Sequence, residues 1–133
     1  MTNATDFQGK ISWAGILLIV VVGLIHLIEA PEYLEEATYV GVRFLIIFLL
    51  AAVSAFGIYR GMRWGWLLGL LVAGGAFIMY VLSRTIGLPG LEDEVGEWLE
   101  PAGILSLIVE GLFIALYAIM GAQTTSEQRG VSR

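Results

Sequence analysis

Residues 11–28 read ISWAGILLIVVVGLIHLI, an apolar run whose only titratable side chain is His26. A helix that crosses the hydrocarbon core of a bilayer needs about 20 mainly apolar residues, within a usual range of about 17 to 25. The run therefore predicts a membrane-spanning helix. The segment before it, MTNATDFQGK, has no strongly basic region, and no small-residue cleavage signature precedes Glu29. We therefore predict that this helix is retained and not removed as a signal peptide.

Three further apolar runs of similar length follow, within a composition that is unlike that of a soluble domain. The 133 residues are 58% hydrophobic and 14% charged, whereas soluble domains carry about 25% charged residues. The sequence contains no cysteine, which excludes disulfides and thiolate metal sites. We predict one integral membrane domain over residues 1–133, with a polar tail at 122–133 and spans at about 11–28, 39–59, 64–83 and 103–121.

The connections between the spans predict an all-α, antiparallel four-helix transmembrane bundle. Only residues 60–63 separate the second and third spans, and so short a turn makes the two helices antiparallel neighbours. After the first span, Pro31 fits the first position of a separate short helix, PEYLEEA. Leu91, Val95 and Trp98 recur at helical spacing, so we predict a second short helix in the acidic loop before the fourth span.

Small and aromatic side chains predict how the spans pack. Gly65, Gly69 and Ala73 form one stripe on the third span, and such stripes let membrane helices approach closely. We favour packing of this stripe within the bundle, with dimerisation as the alternative. Trp66 and Tyr33 are predicted to lie among the aromatic residues at the two membrane interfaces.

The distribution of charge predicts the orientation. Nine of the twelve carboxylates lie in two loops on one side of the membrane, and five of the seven bases lie on the other, namely Lys10, Arg60, Arg63, Arg129 and Arg133. Because cytoplasmic segments carry an excess of lysine and arginine, both termini are predicted to be cytoplasmic and the acidic loops external, in the plasma membrane of a prokaryote. Expected partners are the lipid bilayer and a membrane protein or a second copy of this chain, whereas the acidic exterior argues against nucleic acid.

Polar side chains from all four spans converge on the end that carries the acidic loops. His26 and Glu29 are three residues apart and share a helix face. Glu110 lies about 10 Å below the outer end of the fourth span. A charge facing lipid at the bilayer centre costs about 2.5 to 3.5 kcal/mol, so this carboxyl group should face inward and be paired or protonated. Arg43 is its first predicted partner and Arg84 its second.

These residues define two overlapping candidate sites. An imidazole and two carboxylates suit Zn²⁺, Mn²⁺ or Fe²⁺, and the two arginines suit an anion. The predicted metal ligands are His26, Glu29 and Glu110. The predicted ligand-binding residues are Arg43, Tyr80, Ser83, Arg84, Thr85 and Glu110.

The sequence favours a non-catalytic protein that binds a metal ion or a small polar ligand, and it predicts no catalytic residue. The alternative is an accessory subunit of a larger membrane complex, in which the same groups satisfy one another and only fix the register of the helices. For His26 alone, this structural role is favoured. An enzyme acting on a lipid or a quinone has only His26 and the carboxylates in its support.

Residues 83–90, SRTIGLPG, together with the helix end at His26 and Glu29, resemble a group of uncharacterised small four-helix bacterial membrane proteins. Those proteins carry a Ser-Arg-Thr-x-Gly-Leu-Pro stretch after the third helix. The resemblance implies the same fold and topology, and a role for residues 83–85 beyond solvation of a loop. The acidic fourth helix of that group is matched by Glu110, whereas the linker after the motif is shorter and more acidic here.

Overall fold

The computed structural model describes residues 4–131, and within that range it describes the side chains of residues 7–121 and 129–131. All regular secondary structure in this part of the chain is helical. Its elements, in order, are α1 (Ala4–Glu36), α2 (Thr38–Tyr59), α3 (Arg63–Thr85), a single 3₁₀ turn (Glu92–Glu94) and α4 (Pro101–Val131). Each long helix contains a segment long and apolar enough to cross a membrane. The predicted all-helical class and the four membrane-length helices are confirmed, as expected for an integral membrane protein.

The four long helices form a closed ring of neighbours. In this ring α1 packs on α2, α2 on α3, α3 on α4, and α4 returns to α1, while α1 and α3 meet at few positions. Among the described residues, α2 and α4 lie diagonally opposite and do not meet. The ring encloses an apolar core that includes Ile19, Val22, Ala51, Ala73 and Phe113. Many large apolar side chains point outward, among them Ile28 and Leu71, as a surface against lipid requires.

Glycine brings α2 and α3 into backbone contact near the turn that joins them. A Cβ atom added to Gly65 would lie 2.8 Å from the Cα atom of Gly57. One turn further on, a Cβ atom added to Gly69 would lie 2.7 Å from Ser54 Oγ, and Ala73 is fully buried. Ser54 Oγ also donates a hydrogen bond of 2.7 Å to the Gly65 carbonyl. The small-residue stripe therefore packs inside the bundle, as predicted.

Replacement of Gly65 by alanine is expected to lower the free energy of unfolding by about 1 to 3 kcal/mol, because the new methyl group meets backbone atoms that cannot turn away. Unfolding by sodium dodecyl sulfate in mixed micelles measures this change. The matched control is Gly74→Ala on the same helix, where a Cβ atom would have no neighbour within 4 Å. That control should be neutral or slightly stabilising, because alanine favours helix over glycine. Equal losses in both variants would contradict the close approach.

The structure corrects the prediction of a separate helix beginning at Pro31. Helix α1 continues through Pro31 to Glu36 without a break, although a proline inside a helix removes one hydrogen bond. The last turns of α1 are held by packing instead, since Tyr33 is buried in a second apolar cluster with Val40 and Leu91. Burial of this turn outweighs the local preference of proline for a helix start.

The predicted short helix in the acidic loop is also wrong. The structure has only the 3₁₀ turn there, and Gly96 follows it with a φ of +85°, a left-handed conformation that ends helical geometry. Leu91 is buried against Tyr33, whereas Val95 and Trp98 are exposed. The three apolar residues therefore do not share one face, despite their spacing.

Two aromatic residues predicted at the membrane interfaces lie inside the bundle. Trp66 is buried and stacks on Phe113 with ring centroids 5.6 Å apart, and the absence of a side chain at Gly15 makes room for its ring. Tyr33 is also buried. Both residues therefore stabilise the interior, and neither anchors the bundle at its surface.

The helix bounds extend beyond several of the predicted spans. Helices α2 and α3 agree with the prediction within two residues at each end, but α1 begins seven residues before residue 11. Helix α4 continues through the predicted polar tail to Val131. The rest of the prediction for 122–133, which concerns the side chains of residues 122–128 and the last two residues, lies outside the described part.

Candidate functional site

A cavity of about 60 Å³ lies among all four helices, at the end of the ring beside the loop between α3 and α4. A water molecule needs about 10 to 15 Å³ of such space, so several waters or one small molecule would fit. Thr85, one of the eight predicted site residues, does not line it; its hydroxyl donates to the Val81 carbonyl at 2.7 Å on the exposed side of α3. The other seven all line the cavity, and they are His26, Glu29, Arg43, Tyr80, Ser83, Arg84 and Glu110.

Glu110 is the deepest carboxyl group of the cavity and is only 1% exposed. Ser106 Oγ, one turn earlier on α4, donates a hydrogen bond of 2.7 Å to Glu110 Oε1. Glu110 Oε2 has no hydrogen-bond partner in the described part of the chain. Of the arginines, Arg84 forms its ion pairs with other carboxylates, and Arg43 forms none with any described residue. The predicted pairing of Glu110 with either arginine is therefore wrong.

Arg84 instead joins α3 to the loop and to α1. It is 3% exposed, donates through Nη1 to Glu94 Oε2, and donates through Nη2 to Glu100 Oε2 at 2.6 Å. Its guanidinium carbon lies 4.5 Å from the centroid of the Tyr80 ring, a cation–π distance. The Tyr33 hydroxyl on α1 donates to the second oxygen of Glu94 at 2.7 Å. We refer to Arg84, Glu94, Glu100 and Tyr33 as the Arg84 latch.

The contacts of the Arg84 latch hold residues 86–100, which we call the cover loop, against the cavity. Leu91 of this loop lines the cavity and is almost fully buried. The Gly96 amide donates to the Arg84 carbonyl at 2.9 Å, and the Tyr39 hydroxyl donates to the Pro89 carbonyl at 2.6 Å. Polar contacts and a buried leucine thus hold one ordered loop across the mouth of the ring.

His26 lines the cavity but uses one ring nitrogen within its own helix. Its Nδ1 atom lies 2.8 Å from the Val22 carbonyl, and since a carbonyl can only accept, Nδ1 carries the proton. The ring meets the edge of Phe44, with centroids 4.8 Å apart. Among the residues that the structure describes, no three His, Asp or Glu side chains form a group that could hold a metal ion. His26, Glu29 and Glu110 therefore do not assemble the predicted metal site.

Four buried polar atoms of the cavity have no hydrogen-bond partner among the residues that the structure describes, and they come from three helices. They are Arg43 Nε on α2, Tyr80 Oη and Arg84 Nε on α3, and Glu110 Oε2 on α4. An unpaired buried polar group costs about 1 to 3 kcal/mol, and more than about nine in ten such groups in native proteins are paired. Their concentration around one space fits a cavity that holds a polar molecule.

Sequence reasoning missed the latch residues Tyr33, Glu94 and Glu100. Tyr33 could have been found, because it lies four residues after Glu29 on the same face of α1. Glu94 and Glu100 gave no such signal. They belong to an irregular loop, in which the spacing of residues along the sequence does not determine where their side chains point. Gly103 was also missed: it leaves room for Tyr80, whose Cε2 atom lies 2.6 Å from where a Cβ atom on Gly103 would stand.

Comparison with protein families, curated proteins and solved structures finds no match to this chain. The resemblance carried by residues 83–90 stays a prediction. The functional interpretation below accordingly starts from the geometry of the cavity.

Proposed function

We propose that this protein is a non-catalytic membrane protein that binds a small polar ligand in the cavity between its four helices. The observation that supports this proposal is the set of four unpartnered buried polar atoms, from three helices, around one space. Helix packing alone would favour apolar or mutually paired groups at these positions, because each unpaired group costs free energy. A polar ligand that pairs with them removes that cost.

We further propose an antiparallel bundle with cytoplasmic termini, so that the end of the bundle that carries the cavity and the cover loop faces the outside of a prokaryotic plasma membrane. Ring contacts support the antiparallel arrangement of α1 and α2: Trp13 near the start of α1 meets Tyr59 at the end of α2, with centroids 6.3 Å apart. His26, late in α1, meets Phe44, early in α2. The arginines of the turn between α2 and α3 support the orientation through the positive-inside rule.

Because the chain has no cysteine, single Ser→Cys variants test whether the cavity is reached from water. Ser83 lines the cavity, whereas Ser54 is fully buried in the packed half of the bundle. Ser83→Cys is expected to react with a small water-soluble thiol reagent at least about tenfold faster than Ser54→Cys, since thiol reactivity follows access and thiolate formation. Reaction rates in reconstituted vesicles, followed by mass spectrometry, measure the difference.

A second pair of variants, Ser83→Cys and Arg60→Cys, tests the orientation. A membrane-impermeant reagent added outside intact cells should label Ser83→Cys and should not label a cysteine placed at the exposed Arg60. Equal rates for Ser83→Cys and Ser54→Cys would contradict a cavity open to polar molecules. If only the Arg60→Cys variant is labelled from outside, the topology is opposite to the one proposed. That result would not contradict the proposal that the cavity binds a polar ligand.

The Arg84 latch supports a second candidate function, an accessory subunit of a membrane complex whose ion pairs serve only structure. The ion pairs of the latch form within the chain, since Arg84 binds two carboxylates and Tyr33 donates a hydrogen bond to one of them. Purification in a mild detergent distinguishes the two candidates. A co-purifying membrane protein in fixed proportion would favour the accessory role, whereas a homogeneous lone chain would favour the binding protein.

A further inference from the structure

Arg43 gives the first indication of what the cavity binds. Its Nε atom is buried and has no hydrogen-bond partner among the described residues, and no described carboxylate pairs with its guanidinium. A guanidinium is always charged in proteins, and its planar edge matches the two oxygens of a carboxylate or similar oxyanion. A partly buried cation without a counter-ion is unfavourable. An oxyanion in the cavity would supply that counter-ion.

Glu110 adds a second requirement. In its ionised form, Glu110 offers Oε2 as a buried acceptor for which no described residue is the donor, while Oε1 accepts the hydrogen bond from Ser106. An anion that only accepts hydrogen bonds would leave Oε2 unpaired. A ligand with a hydroxyl group of its own could donate to Oε2. The Tyr80 hydroxyl, which also has no hydrogen-bond partner among the described residues, can donate or accept.

The volume of the cavity and the charges that line it further restrict the class of ligand. About 60 Å³ admits only a handful of non-hydrogen atoms. Glu29, Glu94 and Glu100 also line the cavity, so a second negative charge on the ligand would be repelled. We infer that the ligand is a small, singly charged oxyanion that carries a hydroxyl group, such as a short hydroxycarboxylate. This inference rests on the proposed function and specifies the ligand class of that same cavity.

Ligand-observed saturation-transfer NMR tests the inference on full-length protein in phosphatidylcholine nanodiscs. The probes are glycolate, which has both features, acetate, which lacks the hydroxyl, and glycerol, which lacks the charge. Glycolate is expected to bind, acetate to bind about threefold to tenfold more weakly for want of one hydrogen bond, and glycerol to bind at least about tenfold more weakly than glycolate because it leaves Arg43 without a counter-ion.

Variants assign these preferences to residues. Arg43→Gln should weaken glycolate binding at least about tenfold, whereas Arg60→Gln, at the opposite end of α2, should leave it unchanged. Glu110→Met should abolish the preference for glycolate over acetate, because no acceptor remains for the hydroxyl. Circular dichroism and size-exclusion profiles that match the wild type establish that each variant is folded.

The possible outcomes separate this inference from the proposed function. Binding of glycerol as tight as that of glycolate, or an Arg43→Gln variant with unchanged affinity, overturns the oxyanion class and leaves a polar-ligand site in place. Silence of all three probes, combined with equal labelling of Ser83→Cys and Ser54→Cys, overturns both. Loss of glycolate binding only in phosphatidylglycerol nanodiscs would support the same chemistry with a lipid headgroup as its source, and unchanged binding there would support a water-soluble oxyanion.

Discussion

Replacement of Arg84 by methionine is expected to lower the free energy of unfolding by about 3 kcal/mol. Arg84 is almost fully buried and holds both Glu94 and Glu100. Removal of one partner from a buried ion pair leaves the other charge uncompensated, which costs about 3 to 5 kcal/mol, and partial exposure of the two glutamates places the expected loss at the lower end. Unfolding by sodium dodecyl sulfate in mixed micelles, read by far-ultraviolet circular dichroism, gives the value.

One variant separates the effect of the charge of Arg84 from that of its planar shape, and a second variant serves as a control. Arg84→Lys keeps the charge but loses the planar fork that contacts two carboxylates at once, so an intermediate loss is expected. Glu97→Gln changes an exposed carboxylate of the cover loop and should stay within about 0.5 kcal/mol of the wild type. A loss below 0.5 kcal/mol for Arg84→Met, on the scale set by that control, would show that the latch does not stabilise the fold.

Replacement of Glu110 by methionine is expected to act in the opposite direction and raise the free energy of unfolding by about 2 kcal/mol. The substitution removes a buried carboxyl group with one unpaired oxygen, and methionine fills a similar volume without polar atoms. Ser106 loses its acceptor, but a serine in a helix can donate to a carbonyl one turn earlier. The same unfolding measurement detects the gain.

The control for Glu110 is Ser106→Ala. This variant removes the one donor to the carboxyl group, so it should destabilise the protein by about 1 kcal/mol. Opposite signs for the two neighbouring variants would identify the unpaired carboxyl group as the source of strain. A loss of stability in Glu110→Met would contradict the prediction and indicate that Glu110 is paired in the membrane.

A stabilising substitution at Glu110 would also bear on function. Native proteins break the rules of packing and polar pairing at functional sites and lose stability there. The Glu110→Met variant should therefore be more stable and bind glycolate without its preference over acetate. Joint measurement of stability and binding on one preparation tests this trade-off directly.

The sequence predicted the elements well because the membrane leaves few options. An apolar run of membrane length must satisfy its own backbone hydrogen bonds, so 39–59 and 64–83 could only become helices. The number of residues between a side chain and the end of its span also gives its depth in the membrane. This is why seven of the eight predicted residues line one cavity. Thr85 does not line the cavity because its side chain lies on the exposed side of α3, where its hydroxyl donates to the Val81 carbonyl.

The pairings could not be predicted, because they depend on which helices are neighbours. Arg43 and Glu110 stand at similar depth, but α2 and α4 are diagonal in the ring, and spacing within one helix carries no information about that order. The partners of Arg84 lie in an irregular loop, whose sequence has no periodicity from which their positions could be predicted. The continuation of α1 through Pro31 was decided by the burial of Tyr33 against Leu91, a contact between residues far apart in sequence.

Helices α2 and α3 approach each other closely through Gly57 and Gly65, at the end opposite the cavity. From residue 65 to residue 83, α3 extends about 27 Å at about 1.5 Å per residue. A tilt of about 5° around the glycine contact would therefore move the Ser83 end by about 2 Å, roughly the radius of a helix backbone. A substitution that loosens the glycine contact is therefore expected to widen the space beside Tyr80, near the other end of α3.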